Sequence, residues 1–142
     1  MRHVRQQDPN GCLVACLAMV TGNTYEVVRD ELAALGLTFG AGGGATEFDL
    51  IGYLTDHGFA IGRKYRWHGR NVERTEWPAA PFAPVHIVGV NGAGRHGVVL
   101  LGDGRTVLDP EHDQPRDFSE FTEVGYMLGV FDVSGSAGWG RR

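Results

Sequence analysis

The chain is poor in cysteine, in net positive charge and in long apolar runs, and each shortage excludes a class of protein. Its 142 residues hold two cysteines, Cys12 and Cys16. They lie four positions apart in one predicted helix, where the closed loop is too small for good disulfide geometry. A secreted scaffold held together by disulfides is therefore excluded, and two free thiols in a reducing compartment fit better.

The sequence also lacks the signals of membrane insertion and export. Its longest uncharged apolar run, residues 13–20, is far shorter than the roughly 20 residues that a membrane span needs. Residues 1–6 contain no apolar stretch of the kind found in signal peptides. We therefore expect a cytoplasmic protein without a membrane span. Its length suits one domain, residues 1–133, followed by a flexible tail, residues 134–142.

A formal net charge of −4 argues against a nucleic-acid-binding protein, which usually carries a basic face. One basic cluster is the exception. It contains aromatic residues and five cations: Arg63, Lys64, Tyr65, Arg66, Trp67, Arg70 and Arg74. We interpret it as a solvated strand face and loop. An acidic peptide or partner is a further possible occupant of this cluster.

The most informative segment begins where polar residues give way to an apolar run at Cys12. Residues 6–11 are typical of a turn, Asn10 is the predicted N-cap, and residues 12–20 are all apolar. A helix that is apolar on all sides is a buried one. The sequence therefore places a thiol at the amino end of a buried helix, where free N–H groups and the helix dipole stabilise a thiolate.

Two more helices and a set of strands are predicted after this segment. One helix starts at Asn23, with Glu26 in a capping box, and another starts at Thr46, with Asp49 as its capping partner. Between them, residues 39–45 form a glycine-rich loop that lacks the lysine and hydroxyl ending of a phosphate loop. Strand patterns follow at residues 59–67, 85–90, 97–101, 106–108 and 126–133. Helices first and an antiparallel sheet afterwards predict an α+β fold.

The strand register suggests which histidine acts with Cys12. If Asp103 and Gly104 form a two-residue turn, the residue numbers of cross-strand partners sum to 207. His96 and Asp109 are then diagonal neighbours on one face, at a distance that their side chains can bridge. A slip of one residue would put them on opposite faces.

The other histidines carry weaker predictions. They are His3, His57, His68, His86 and His112. His86 alternates with apolar residues and is interpreted as a structural histidine, with a smaller chance of being the base. His112 lies three residues after Asp109, but neither cysteine is spaced to complete a metal site with it. We expect no metal and no cofactor.

Three segments resemble the bacteriocin-processing, double-glycine-leader peptidases, a family of papain-like cysteine peptidases. They are Gln6-x5-Cys12-x2-Ala15-Cys16-Leu17-Ala18-Met19-Val20, His96-Gly97-Val98-Val99-Leu100 and Leu108-Asp109-Pro110. The resemblance implies a papain-like fold whose central catalytic helix packs on a C-terminal antiparallel sheet. The chain departs from the family pattern at Gly11 and Leu13, where the family usually has Asp and Gly.

By that resemblance, Cys12 is the nucleophile, His96 the general base and Asp109 the residue that orients His96. Gln6 supplies a side-chain donor to the oxyanion, although an offset of one residue to Gln7 stays open. The substrate would be a peptide or protein, possibly cut after a Gly-Gly leader. No transporter domain follows in this sequence, so a stand-alone form with a partner transporter or peptide-maturation proteins is expected.

Two other classes of function stay open at this point. The same acyl-thiol chemistry serves deamidases and transglutaminases that act on glutamine side chains, because the acceptor of the acyl group is chosen by the cleft. A catalytically inactive domain that binds peptides is the alternative that is not an enzyme.

Overall fold

The structure is a computed structural model that describes residues 1–40, 43–67, 72–78, 81–91 and 95–139. It has the predicted α+β order, with three helices followed by strands. The helices are α1 (Cys12–Thr21), α2 (Tyr25–Ala34) and α3 (Glu47–Asp56). The strands are β1 (Phe59–Arg66), β2 (Val72–Glu73), β3 (Val85–Val90), β4 (His96–Leu100), β5 (Thr106–Leu108), β6 (Arg116–Asp117) and β7 (Glu123–Asp132). No helix in these ranges is long and apolar enough to cross a membrane.

The strands form one antiparallel sheet with the order β1-β7-β3-β4-β5-β6, and β2 also pairs with β7. Alternate side chains of the central strands point to opposite faces. One face packs on the helices through Ile87, Val99 and Leu128, and the other carries a second apolar cluster that includes Val88 and Val98. The core therefore has two layers, one on each side of the sheet.

Helix α1 packs directly on β4, and this contact brings the two halves of the site together. Residues 13–20 are all buried, as the apolar run predicts. A Cβ atom on Gly97 would lie 2.5 Å from Cδ2 of Leu13, so glycine at this position allows the close approach. Because β4 begins at His96 and α1 begins at Cys12, the contact sets these two residues side by side.

The predicted helix starts are correct for α3 and wrong by one residue for the other two. The Thr46 and Asp49 capping box is present. The N-cap of α1 is Gly11 instead of Asn10, whose side chain donates to the carbonyl of Gly40, 2.5 Å away. The N-cap of α2 is Thr24 instead of Asn23. In both cases the asparagine side chain contacts another segment instead of capping its own helix.

Residues 134–139, which the sequence predicts as a flexible tail, contact the rest of the domain, although residues 134–136 are exposed. The N–H of Ser134 donates to the carbonyl of Gly58, and the indole N–H of Trp139 donates to the carbonyl of Val20, 2.7 Å away. The Trp139 ring also packs against Phe59. The tail therefore satisfies a carbonyl in the last turn of α1, which has no partner within the helix. Arg141 and Arg142 lie outside the described residues.

We predict that Gly89→Ala lowers the free energy of unfolding by about 1–3 kcal/mol, since overpacking a buried site forces neighbours to move. The new Cβ would lie 2.1 Å from Cε1 of Tyr126, in a ring that is itself buried. Urea unfolding measures the change. The control is Gly52→Ala on α3, where a Cβ has open space and helix propensity predicts a gain of about 0.5–1 kcal/mol. Equal stability of the two variants would contradict this packing.

Candidate active site

The register of β4 and β5 brings His96 and Asp109 together. Val99 pairs with Leu108 and Leu100 with Val107, which is the predicted register. The predicted two-residue turn is wrong, because the N–H of Leu101 bonds the carbonyl of Thr106 and the loop comprises residues 102–105. The loop has one more residue on each side than the predicted turn, so β4 and β5 keep the predicted register. His96 Nε2 lies 2.6 Å from Oδ1 of Asp109.

The Asp109 carboxylate is buried, with its side chain only 2 % exposed, and every contact holds it as an anion. Besides His96, Oδ1 accepts the N–H of Glu111 at 3.0 Å, and Oδ2 accepts from Nη1 of Arg116 at 3.0 Å. Burial works to raise the pKa of Asp109. The hydrogen bonds from His96 and Glu111 and the positive charges outweigh it and lower the pKa to about 2. The carboxylate is therefore a fixed negative charge beneath the imidazole.

The His96 ring is held in its charged form by the same contacts. Its burial works to lower its pKa, but hydrogen bonds to Asp109 and Cys12 and the charges of Asp109 and Glu111 raise the pKa to about 10. The Nδ1 atom lies 3.7 Å from Oε1 of Glu111. Because Nε2 is held by Asp109, Nδ1 is the ring nitrogen on the opposite edge, where Glu111 is an ion-pair partner.

Cys12 is the first residue of α1 and is half-buried. Its sulfur lies 3.9 Å from the carbonyl oxygen of Arg95, the residue before His96, and Cys12 and His96 line the same cleft. The first hydrogen bond of helix α1 runs from the N–H of Ala15 to the carbonyl of Gly11, 3.0 Å away. The N–H groups of the preceding helical residues have no partner within the helix and are available to an anion.

Cys16 lies one turn further along α1 and is fully buried in the helical core. Burial, followed by the negative charges of Cys12 and Asp109, raises the pKa of its thiol well above 9. A neutral buried thiol is a poor nucleophile. Cys16 is a core residue, as the sequence indicates.

Gln6 lies beside the site because the N-terminal segment pairs with the segment after β5. The N–H of Gln6 donates to the carbonyl of Pro110 at 3.0 Å, and His3 Nε2 lies 2.7 Å from the carbonyl oxygen of Asp109. The side-chain amide of Gln6 donates to the carbonyls of Asp8 and Pro9 at 3.2 and 3.3 Å. Gln6 also lines the cleft that contains Cys12.

Gln6 and Gln7 lie in different surroundings. Gln7 is exposed, and its amide donates to Oε1 of Glu26 on α2 at 2.8 Å. Gln6 is half-buried and lines the cleft that also contains Cys12 and His96. Of the two glutamines, Gln6 therefore shares the cleft with Cys12.

A cleft of about 670 Å³ opens over Cys12 and His96. Its walls come from the start of α1, the start of α3, β1 and the start of β4. The glycine-rich segment before α3 contributes Gly43 and Gly44, so this loop lines the cleft; residues 41 and 42 lie outside the described residues. The lining residues are Gln6, Pro9, Asn10, Cys12, Leu13, Gly43, Gly44, Ala45, Thr46, Glu47, Phe48, Lys64, Arg66, Arg95, His96, Gly97, Glu111 and Tyr126.

His57, His86 and His112, which lie in the described part of the chain, have partners other than Cys12. His86 is fully buried on β3, where Nε2 accepts the N–H of Phe82, and burial lowers its pKa to about 4. His112 is exposed and lies 3.2 Å from Nη1 of Arg116. His57 contacts Glu31 on α2, and His68 lies outside the described residues. Within the described ranges, no group of three His, Cys, Asp or Glu residues is arranged to hold a metal ion.

The basic cluster of the sequence is divided between different surroundings. Lys64 and Arg66 line the cleft, and both contact Glu47 at the start of α3. Arg74 instead lies over the ring of Trp77. Arg70 lies outside the described residues. Lys64 and Arg66 are exposed on β1, as the interpretation as a solvated strand face predicts, and their side of the strand forms part of the cleft wall.

Arg116 is the site residue that the sequence did not indicate. It lies on β6, and only the pairing of β6 with β5 brings its guanidinium to Asp109. The guanidinium also lies 4.5 Å from the ring of Phe121, which fixes its position. An acidic residue followed seven positions later by an arginine is too common a pattern to signal this contact.

We predict that Arg116→Gln lowers the free energy of unfolding at neutral pH by about 2 kcal/mol, because the buried Asp109 carboxylate loses a charged donor. The folded-state pKa of Asp109 is depressed to about 2, so this stabilisation is present above an unfolded pKa of about 3.9 and is lost as the pH falls. In urea unfolding, the difference in the free energy of unfolding between the native chain and the variant should therefore be smaller at about pH 3 than at neutral pH.

The matched control is Arg105→Gln, which breaks an exposed contact with Asp117 at 3.3 Å. Exposed ion pairs contribute little, so we expect a much smaller change in the free energy of unfolding than for Arg116→Gln. If the two variants lose the same stability, or if the loss for Arg116→Gln does not vary with pH, the bond to Asp109 is not what Arg116 contributes.

Comparison of the chain with protein-family models, with curated proteins and with solved structures finds no match.

Proposed function

We propose that this chain is a papain-like cysteine peptidase in which Cys12, His96 and Asp109 form the catalytic triad. The observation that carries the proposal is the His96 ring, whose Nε2 lies 2.6 Å from a buried carboxylate and which lines the same cleft as Cys12. A nucleophile, a base and a group that orients the base are the parts that acyl transfer requires. The sulfur also lies at the start of a helix and on the wall of a cleft.

The first half of the proposed reaction forms an acyl-enzyme. The Cys12 thiolate attacks the carbonyl carbon of the scissile peptide bond, and a carbon–sulfur bond forms while the carbonyl oxygen becomes an oxyanion. The main-chain N–H of Cys12 and the amide of Gln6 donate to that oxygen. The His96 imidazolium then gives its proton to the leaving nitrogen, the carbon–nitrogen bond breaks, and a thioester on Cys12 results.

The second half returns the enzyme to its starting state. Neutral His96 takes a proton from a water molecule, and the resulting hydroxide attacks the thioester carbon. The carbon–sulfur bond breaks, the acid product leaves, and Cys12 is again a thiolate beside an imidazolium. Asp109 keeps the ring in place and stabilises its positive charge in both halves of the cycle.

The substrate proposal follows from the resemblance to double-glycine-leader peptidases. A peptide with a Gly-Gly leader is the first substrate to test, with a transporter or peptide-maturation proteins as partners of a stand-alone enzyme. The chemistry needs a reduced thiol, and a cytoplasmic location supplies the reducing conditions.

The test is mass spectrometry of two substrates after incubation with the native chain and with Cys12→Ala. One substrate is a set of peptides with Gly-Gly leaders, and the other is a glutamine-rich protein. Cleavage that depends on Cys12 supports a peptidase. A gain of about one dalton on glutamine without cleavage would instead indicate a deamidase, and no change in either substrate would favour an inactive binding domain.

A further inference from the structure

The cleft wall formed by β1 and α3 carries more positive than negative charge. Lys64 and Arg66 are two residues apart on β1, so their side chains project to the same face. Both contact the carboxylate of Glu47 at the start of α3, with Lys64 Nζ 3.3 Å from Oε2 and Arg66 bonded to Oε1. One carboxylate neutralises only one of the two cations, so this wall holds a net charge of about +1.

Exposure leaves the two cations able to take another anion. The Glu47 side chain is only 13 % exposed, whereas those of Lys64 and Arg66 are 32 % and 48 % exposed. Ammonium and guanidinium groups carry more donors than one carboxylate uses. An incoming carboxylate can therefore bind both cations while Glu47 stays in place.

The other charges on the cleft wall do not cancel this excess. Arg95 and Glu111, one of each sign, adjoin His96 at the catalytic end of the cleft. Beside Lys64, the ring of Phe48 is 82 % exposed and lies 5.8 Å from the ammonium nitrogen. The β1 and α3 wall thus combines an excess positive charge with the exposed apolar ring of Phe48.

We infer that this wall is a specificity subsite for an acidic side chain of the peptide substrate, bound by Lys64 and Arg66, with Phe48 supplying apolar contact to a neighbouring residue. The inference rests on the proposed function, because it takes the cleft over Cys12 as the place where the peptide lies. It assigns a role to the part of the basic cluster that catalysis does not use.

Binding to the full-length Cys12→Ala chain tests the inference without requiring catalysis. Two pools of fluorescent short peptides have the same lengths and sequences, except that Asp and Glu in one pool are Asn and Gln in the other. Fluorescence anisotropy should show the acidic pool binding at least about fivefold more tightly, since a new ion pair replaces a neutral contact. Added salt should reduce the difference.

Lys64→Gln and Arg66→Gln, each made in the Cys12→Ala chain, should remove most of this preference. Arg63→Gln, on the same strand but outside the cleft lining, is the matched control and should keep it. Equal binding of both pools to the Cys12→Ala chain would overturn the inference. So would an acid preference that survives both Lys64→Gln and Arg66→Gln or that disappears equally in Arg63→Gln.

Cleavage of the same pools by the native chain separates the two proposals. Acid-selective binding with no cleavage of any peptide would support the subsite while counting against the peptidase. Cleavage without charge preference would support the peptidase and reject the subsite.

Discussion

Replacing Cys12 by alanine is expected to lower kcat/KM by about 10⁵-fold or more, because it removes the atom that we propose as the nucleophile. The domain should keep its fold. Cys12 is half-buried at the first position of α1, and alanine is a good helix former. Peptide cleavage measured by chromatography gives the activity, and circular dichroism with urea unfolding gives the stability.

Cys16→Ala is the matched control in the same helix. Cys16 is fully buried and its thiol pKa is raised well above 9, so we expect catalysis to persist. The variant should instead lose about 1 kcal/mol of stability, since a buried sulfur is replaced by a smaller group. Full activity in Cys12→Ala, or loss of activity in Cys16→Ala with the fold intact, would reject Cys12 as the nucleophile.

Asp109→Asn is expected to lower kcat by about 10²–10⁴-fold, because an amide neither stabilises an imidazolium nor holds the ring in the same proton arrangement. The pKa of His96, raised to about 10 in the native chain, should fall, since its hydrogen bond to an anion and the anion's charge are both lost. The C2 proton of His96 in an NMR titration reports the change directly.

The stability of this variant should depend on pH in a defined direction. The folded-state pKa of His96 is raised, so its contribution to stability is complete below an unfolded pKa of about 6.5 and is lost as the pH rises through about 10. Urea unfolding should show that the loss of stability in Asp109→Asn becomes smaller as the pH rises from about 6.5 to about 10. Asp56→Asn, at the exposed end of α3, is the control for loss of a carboxylate. A native-like His96 titration in Asp109→Asn would contradict the proposed role of Asp109.

The sequence predicts those parts of the site that depend on local rules. Apolar residues on every side of a helix require burial, so α1 and the position of Cys12 at its start follow from the pattern. The sequence also predicts the register of β4 and β5 that brings His96 to Asp109. The loop has four residues where the sequence predicts two, but one residue is added on each side, so the same residues of β4 and β5 pair.

The parts that were missed depend on contacts between distant segments. Arg116 reaches Asp109 only through the pairing of β5 with β6, and Trp139 contacts Val20 across 119 positions. The glycine and alanine residues around Trp139 are typical of a solvated tail. The indole ring nevertheless docks on the domain, because it has an apolar surface to bury and an N–H that donates to Val20. Lys64 and Arg66 line the cleft because α3 presents Glu47 to them.

The most direct test of the central claim is the rate at which iodoacetamide alkylates Cys12 at different pH values, in the native chain and in His96→Ala. A free cysteine has a pKa of about 8.5 and reacts slowly at about pH 6. We predict that Cys12 of the native chain reacts much faster than free cysteine at that pH, and that His96→Ala removes the advantage. If Cys12 follows the rate profile of free cysteine in both chains, no thiolate is paired with His96 and the account of this site is wrong.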